Sequence, residues 1–354
     1  MAKKQKKNKP ERAPTKHQLS KWQRQLRIRR IVIIAAAVFL VGIGSWVGYE
    51  SYQDYKSDPL REVVIEVNGV PFTMGYFVKM LNIHFNNYIY KTINDYFNIY
   101  VQAYPNATSE EIVNLLASNA ISALSNNTNN ITNMLTDEAA NNIINDELLR
   151  QGAKDLGIEV TTKEVDARLT ETELPNDRIH RDAVSANLSQ EKLIEYFDSQ
   201  LPKTMEQAHA QVMLVESQEV ASELIAEIEA GGNFTALVDE FSCNSSIEGD
   251  LGWLPRELMP NTMIANTAFN LTPGEISQPI YDETAIKNIG TTGGYWLVMV
   301  IDRGDYELEE TVKKWLIYKH LNEWFEEWKK NSTIENLLDE EKKSWAVDRA
   351  LPEG

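Results

Sequence analysis

Cysteine occurs once in 354 residues, at Cys243, and histidine only five times. A single thiol excludes an intrachain disulfide, and it removes zinc-finger and iron-sulfur sites, which need several. Bases are scarce beyond residue 30: Met1 to Arg30 holds 12 Lys and Arg against the one acid Glu11, leaving 23 bases and 51 acids for the rest. Long apolar runs are rarer still. There is one, IVIIAAAVFLVGIGSWVGY over Ile31 to Tyr49, uncharged across 19 residues. As a helix rising about 1.5 Å per residue it spans roughly 28 Å, close to the hydrocarbon thickness of a bilayer.

This run is expected to be a membrane helix in contact with lipid over residues 31–49. The basic tail, 1–30, then lies in the cytoplasm and residues 50–354 outside, in a single-pass cell-membrane topology. A basic tail beside a membrane span is explained by topology and anionic lipid, so no nucleic-acid partner is expected. A cleaved signal peptide fits less well, because Ala35 to Ala37 lie inside the run and no small-x-small site follows it. Gly44 and Gly48 form one GxxxG, a weak pattern for a helix dimer. With 43% hydrophobic residues, the outer part has enough apolar content for a sizeable core without disulfides.

After an acidic linker, 50–61, the pattern is mainly helical over 62–204. REVVIEVNGVPFT alternates before the Asn68-Gly69 turn and predicts a hairpin, with Thr73 capping the helix that follows. From Met74 to Tyr104 that helix carries Tyr76, Phe77, Met80, Phe85, Tyr88, Tyr90, Tyr96, Phe97 and Tyr100, more than one narrow stripe holds. Either it sits inside a bundle or it exposes an apolar surface. Thr108 with Glu111, and Thr161 with Glu164, read as capping boxes. SNNTNNITNML reads as a loop, and INDELLRQGAKDLGIEV as an amphipathic helix stopping at Gly157.

Residues 205–304 change to alternating strand and helix. AQVMLV is a strand, SQEVASELIAEIEAGG a helix, NFTALVDEFS a second helix capped by Asn233, and NTMIANTAFN a third. SQPIY and GGYWLVMVIDR read as closing strands. Residues 305–354 return to helix, with Leu308, Val312, Trp315, Leu316, Trp324, Phe325 and Trp328 on one broad face. That face is expected to pack on residues 62–204, making one discontinuous helical domain around an inserted α+β domain.

The order AHAQVMLV, EIEAGGNFTALVDEFS, GDLGW, AFNLTPGEISQPI and GGYWLVMVIDR resembles the PpiC-type rotamase domain of the parvulin peptidyl-prolyl isomerases. The flanking helices resemble the organisation of SurA- and PrsA-class extracytoplasmic chaperones. The resemblance implies an α+β fold: one transmembrane helix, a mainly helical chaperone-like domain and an inserted parvulin-type domain. It implies action on Xaa-Pro bonds of unfolded or proline-containing exported polypeptides. Rotation about that bond crosses a barrier of about 18–20 kcal/mol because the twisted amide loses resonance. No bond is made or broken, so no metal or cofactor is expected. An apolar socket for the prolyl ring and surroundings that favour the twisted amide suffice.

By that resemblance Leu251, Met259 and Phe269 match socket positions, and Met263 or Ile264 matches the pocket phenylalanine. Thr291 matches a hydroxyl facing the polar centre, and Asn244 a position held by cysteine or aspartate, with Cys243 one place early. The family's two histidines fall on Val212 and Trp296. His209 lies three residues before the first of these positions, so strand alternation turns it to the opposite face. A Cys243–His209 hydrolase dyad lacks both a strand-turn-helix elbow and a third group to orient the base. GTTGG lacks the Lys and helix of a phosphate loop. Two readings follow: a membrane-anchored foldase whose isomerase activity survives without histidines, or a chaperone whose rotamase domain binds chains without turning them over.

Overall fold

The structure is a computed structural model that describes residues 58–243, 249–287 and 290–352. The basic tail and the apolar run at 31–49 lie outside the described residues. Among the described residues, no helix is long and apolar enough to cross a membrane. The chain divides into two compact units, Met1–Ala140 with Glu335–Gly354, and Asn141–Ile334.

The first unit opens with β1 (Val63–Val67) and β2 (Val70–Thr73), the predicted hairpin. Val67 faces Val70, and Asn68 and Gly69 both take positive φ, as a two-residue turn between twisted strands requires. Thr73 accepts from the Tyr76 backbone N–H at 3.4 Å and caps α1 (Met74–Ala103). The capping box at Thr108 and Glu111 is present and starts α2 (Ser109–Ser125). The asparagine-rich segment turns on positive φ at Asn127, Asn129 and Asn130, then enters α3 (Ile131–Asp155).

The aromatic helix α1 divides. Tyr76, Phe77, Met80 and Phe85 are buried, whereas Tyr90, Tyr96 and Tyr104 are exposed. The hairpin and the C-terminal helix described below pack on its first half and α2 packs along it as well, so α1 is partly packed and partly exposed, and each expectation holds for part of it.

The boundary between units falls inside α3. The second unit continues with α4 (Thr162–Glu171), again started by a capping box, and α5 (Arg178–Gln200). Next come β3 (Thr204–Val215), α6 (Gln218–Glu229), α7 (Phe234–Phe241), β4 (Asp250–Pro255), α8 (Thr262–Asn270), β5 (Ile280–Ile286) and β6 (Thr292–Glu307). The sheet is antiparallel in the order β4-β3-β6-β5. The expected strand at SQPIY starts later: the Ser277 backbone N–H donates to the Val298 carbonyl at 2.8 Å and the Ser277 hydroxyl accepts from the Val298 N–H at 3.0 Å, and β5 begins at Ile280.

Helix α9 (Glu310–Lys330) follows. It ends at the Asn331 cap, so the helical stretch expected over residues 305–354 is broken. β7 (Ile334–Asn336) then pairs beside β1, and α10 (Glu340–Ala350) packs in the first unit, where Asn82 donates to the Ala350 carbonyl at 2.7 Å. The expected tryptophan face on α9 is incomplete. Trp324 packs against Phe197 of α5 and lies over buried Gly152 of α3, while Trp315 is exposed.

The second unit also holds an ionic centre between α3 and α5. Arg150 pairs with Glu147 and, at 2.5 Å, with Asp182, which Arg178 also reaches at 3.4 Å. Asp146 stands beside this group, and burial pushes its carboxyl up to about 7.

Candidate functional site

Alternation along β3 and β6 sorts their side chains onto two faces. Ala208, Ala210, Val212, Leu214, Trp296, Val298 and Val300 enter one apolar cluster. Met213, Val215 and Leu297 enter another, under α6 and α7. Register sets Val212 opposite Val298, and Leu214 opposite Trp296.

The first cluster also takes Leu251 and Leu254 from β4, Met259, and Ile264, Ala268 and Phe269 from α8. The predicted socket residues and both family histidine positions are therefore brought together on one face. At the ambiguous position the cluster takes Ile264, which is fully buried, while Met263 is half-buried. Asn261 fixes this choice by accepting from the Ile264 backbone N–H at 2.8 Å and so capping α8. At the rim, the Arg256 guanidinium lies 4.6 Å over the Phe269 ring and donates to Asn266 at 3.0 Å. Arg303 donates to the Phe269 carbonyl. Val312 and Leu316 of α9 close the same cluster from beyond the strands, so this part of the apolar face expected to pack on residues 62–204 packs on the sheet of residues 205–304 instead.

Trp296 is 3% exposed, and its indole Nε1 donates to Asp282 Oδ2 at 3.0 Å. Asp282, 6% exposed, also accepts at Oδ1 from the Thr284 backbone N–H at 2.9 Å and from its hydroxyl at 2.7 Å. Burial alone would raise the Asp282 carboxyl. The hydrogen bonds from Thr284, Trp296 and the Ala285 backbone outweigh it and hold the group below the usual carboxylate range. Trp296 is thus fixed in the floor of the cluster, its one polar atom turned sideways to β5.

The Gly293-Gly294 pair makes this placement possible. Gly293 takes φ +88, and Gly294 sits opposite Asp282. A Cβ on Gly294 would stand 2.9 Å from both the Val215 carbonyl oxygen and Leu214 Cδ1. The backbone atom cannot give way as a side chain can. Gly294→Ala is therefore expected to destabilise the second unit by roughly 1–3 kcal/mol, the usual range for overpacking. Chemical denaturation with tryptophan fluorescence checks this; an unchanged midpoint would contradict it.

The remaining candidates lie apart from the floor. Thr291 is exposed in the turn before β6, its carbonyl accepting from the Lys287 N–H at 2.8 Å. Asn244 lies outside the described residues. The backbone N–H and the thiol of Cys243 both point to the Leu214 carbonyl, at 2.8 and 3.2 Å, and burial pushes the thiol up. It is a packed thiol, not a nucleophile. His209 faces the opposite side of the sheet, its Nε2 2.8 Å from Asp250 Oδ1. The two halves of the hydrolase dyad therefore have separate partners. Asp282 was not anticipated, because its partner is fourteen positions away on another strand.

Neither family histidine position offers a free acid, base or hydrogen-bond donor. Val212 is aliphatic and 1% exposed, and the single donor of Trp296 is committed to Asp282. What the arrangement does supply is a closely packed apolar cluster.

A family model for the rotamase domain, "PPIC-type PPIASE domain", matches residues 201–302. The chain is 32% identical over 174 residues to the foldase protein PrsA of Halalkalibacterium halodurans, covering 47% of this chain and 48% of that protein. It is 28% identical over 218 residues to the PrsA foldase of Caldanaerobacter subterraneus, covering 56% and 65%. It is 31% identical over 148 residues to the chaperone SurA of Alcanivorax borkumensis, covering 41% and 28%. The chain thus spans about half the length of the first of these relatives. Residues 201–302 are a PPIC-type rotamase domain of the parvulin class, within a chain related to the PrsA foldases and the SurA chaperones.

Proposed function

We propose that this chain is a membrane-anchored extracytoplasmic foldase that holds proline-containing segments of exported polypeptides. Residues 31–49 are its anchor, and the face built from Leu251, Met259, Ile264 and Phe269 is its prolyl socket. Its principal action is binding, not acceleration of bond rotation. The observation that carries this reading is the bond from the Trp296 indole to Asp282 at 3.0 Å. A bulky, anchored ring there leaves no histidine to interact with the rotating amide, and Val212 adds none.

The second reading, a working isomerase, draws support from the grouping of the socket side chains in one cluster. Desolvation of the amide by those residues would lower its barrier without any titratable group.

Binding at the socket is tested with two short peptides, one with a single Ala-Pro bond and one with Ala-Ala in its place. The full-length chain is expected to bind the first about tenfold more tightly, as differences of a few methylenes in apolar pockets allow. Leu251→Glu, at a half-buried position, should abolish that preference while leaving the fold intact by circular dichroism. Equal affinity for the two peptides would sink the socket assignment.

A further inference from the structure

The sheet face opposite the socket is covered only in part. Helices α6 and α7 lie over it as far as Gln211, whose side-chain amide reaches Thr235 of α7 at 3.1 Å. Beyond that point β3 runs on between β6, paired from His209 with Asp302 to Thr204 with Glu307, and β4, paired from Gln211 with Asp250 to Gln207 with Pro255. The register skips Ile301, which places a bulge where the cover ends and turns Asp302 beside His209.

Three rings lie in line on this uncovered part. The His209 and Trp253 centroids are 5.6 Å apart, and those of Trp253 and Tyr306 are 4.2 Å apart. Each outer ring is tied to a carboxylate. His209 Nε2 is 2.8 Å from Asp250 Oδ1, and the Tyr306 hydroxyl donates to Asp302 Oδ2 at 3.2 Å. Trp253 is half-buried, and Tyr306 and Asp302 are exposed. Among the described residues, neither carboxylate is paired with a lysine or arginine. The neighbouring Arg303 turns its guanidinium to the other face, toward Glu206 and the Phe269 carbonyl.

We infer that this shelf is a second polypeptide-binding site, one that takes the cationic side chain of a lysine or arginine over Trp253, between Asp250 and Asp302. An aromatic face attracts a cation through its quadrupole, most strongly for tryptophan. Two carboxylates flanking that face add a field of the right sign and repel acidic segments. The hydroxyl–carboxylate bond fixes Tyr306 beside the indole, so the three rings form a preorganised surface. The shelf and the socket lie on opposite faces of one sheet, and the shelf needs no proline. A client with a base some residues from a proline would meet two features of the domain at once.

The test uses the full-length chain with indole-nitrogen labelling and three proline-free peptides of Gly and Ser, carrying two lysines, two norleucines or two glutamates. The lysine peptide is expected to shift the Trp253 indole signal, and the other two are not. Trp253→Leu should weaken binding of the lysine peptide roughly 2- to 30-fold, the span that a cation over tryptophan covers between exposed and desolvated sites. Asp250→Asn together with Asp302→Asn keeps every ring and should remove most of the salt dependence, which keeps the inference testable if Trp253→Leu unfolds. Tyr306→Phe, which retains the ring, should weaken binding less than Tyr306→Leu. Equal binding of the norleucine and lysine peptides, a Trp253 signal that stays still at millimolar lysine peptide, or undiminished binding by the double asparagine variant overturns it. Because no peptide contains proline, these outcomes are independent of the socket reading.

Discussion

Trp296→Ala is expected to destabilise the second unit by about 3–5 kcal/mol, the cost of truncating a large buried aromatic in a core. Trp296→Phe separates packing from polarity. It keeps a ring in the floor but removes the donor from Asp282, leaving a buried carboxylate one bond short, at a cost of about 1–3 kcal/mol. The pH dependence distinguishes this from plain loss of volume. The folded-state pKa of Asp282 is depressed, so its contribution is present above the unfolded value of 3.8 and is lost as pH falls through the folded value. The deficit of Trp296→Phe should therefore be largest at neutral pH and shrink toward strong acid. Denaturant titrations of both proteins at several pH values measure it, and a deficit independent of pH would mean that the indole N–H contributes nothing through Asp282.

Asp146→Asn is expected to act in the opposite direction. Burial beside the Arg150 centre lifts this carboxyl from 3.8 to about 7, with Arg150 opposing the rise and Asp182 adding to it. A raised pKa means that the folded chain holds a proton that the unfolded chain has already released. The associated stability is fully present below 3.8 and is lost as pH rises through about 7. At pH 8 the parent carries the full cost of an ionised, partly desolvated carboxylate, and the asparagine variant does not. The variant should be the more stable there by up to about 4 kcal/mol, at 1.36 kcal/mol per pKa unit, and should match the parent near pH 4. Five of the eight tryptophans fall within residues 141–334, so fluorescence-detected unfolding reports this unit. Parallel curves for the two proteins across that range would contradict the account.

Much of the fold was legible because its signals are local. The caps at Thr73, Thr108, Thr161 and Asn233 each need only a side chain and a backbone N–H a few residues on. The Asn68-Gly69 hairpin needs only its turn. His209 fell on the face that alternation assigned, because the bulge near it lies on β6 and not on β3. Of the side chains that motif order matches to socket positions, Leu251, Met259, Ile264 and Phe269 share one cluster in the structure.

What stayed hidden depends on register and tertiary cover. Nothing in the spacing of Asp282 and Trp296 reveals that neighbouring strands bring them together. Trp315 fits the apolar period of α9 but faces solvent, because α5 and α3 cover only one side of that helix. The aromatics of α1 exceed one stripe, and the sequence alone does not mark which of them the neighbouring elements cover. Glu147, Arg150 and Asp182 carry no local mark of burial in the sequence, yet they form a packed centre between two helices.

The central claim is that the rotamase domain holds a prolyl segment without hastening its rotation. Two-dimensional exchange NMR on the Ala-Pro peptide, with and without the full-length chain, tests it most directly. The account predicts broadened proline resonances, from binding, with a cis–trans exchange rate that stays at the uncatalysed scale of tens to hundreds of seconds. Exchange cross-peaks that grow with added chain, and disappear with Leu251→Glu, would contradict it and establish turnover at the same socket.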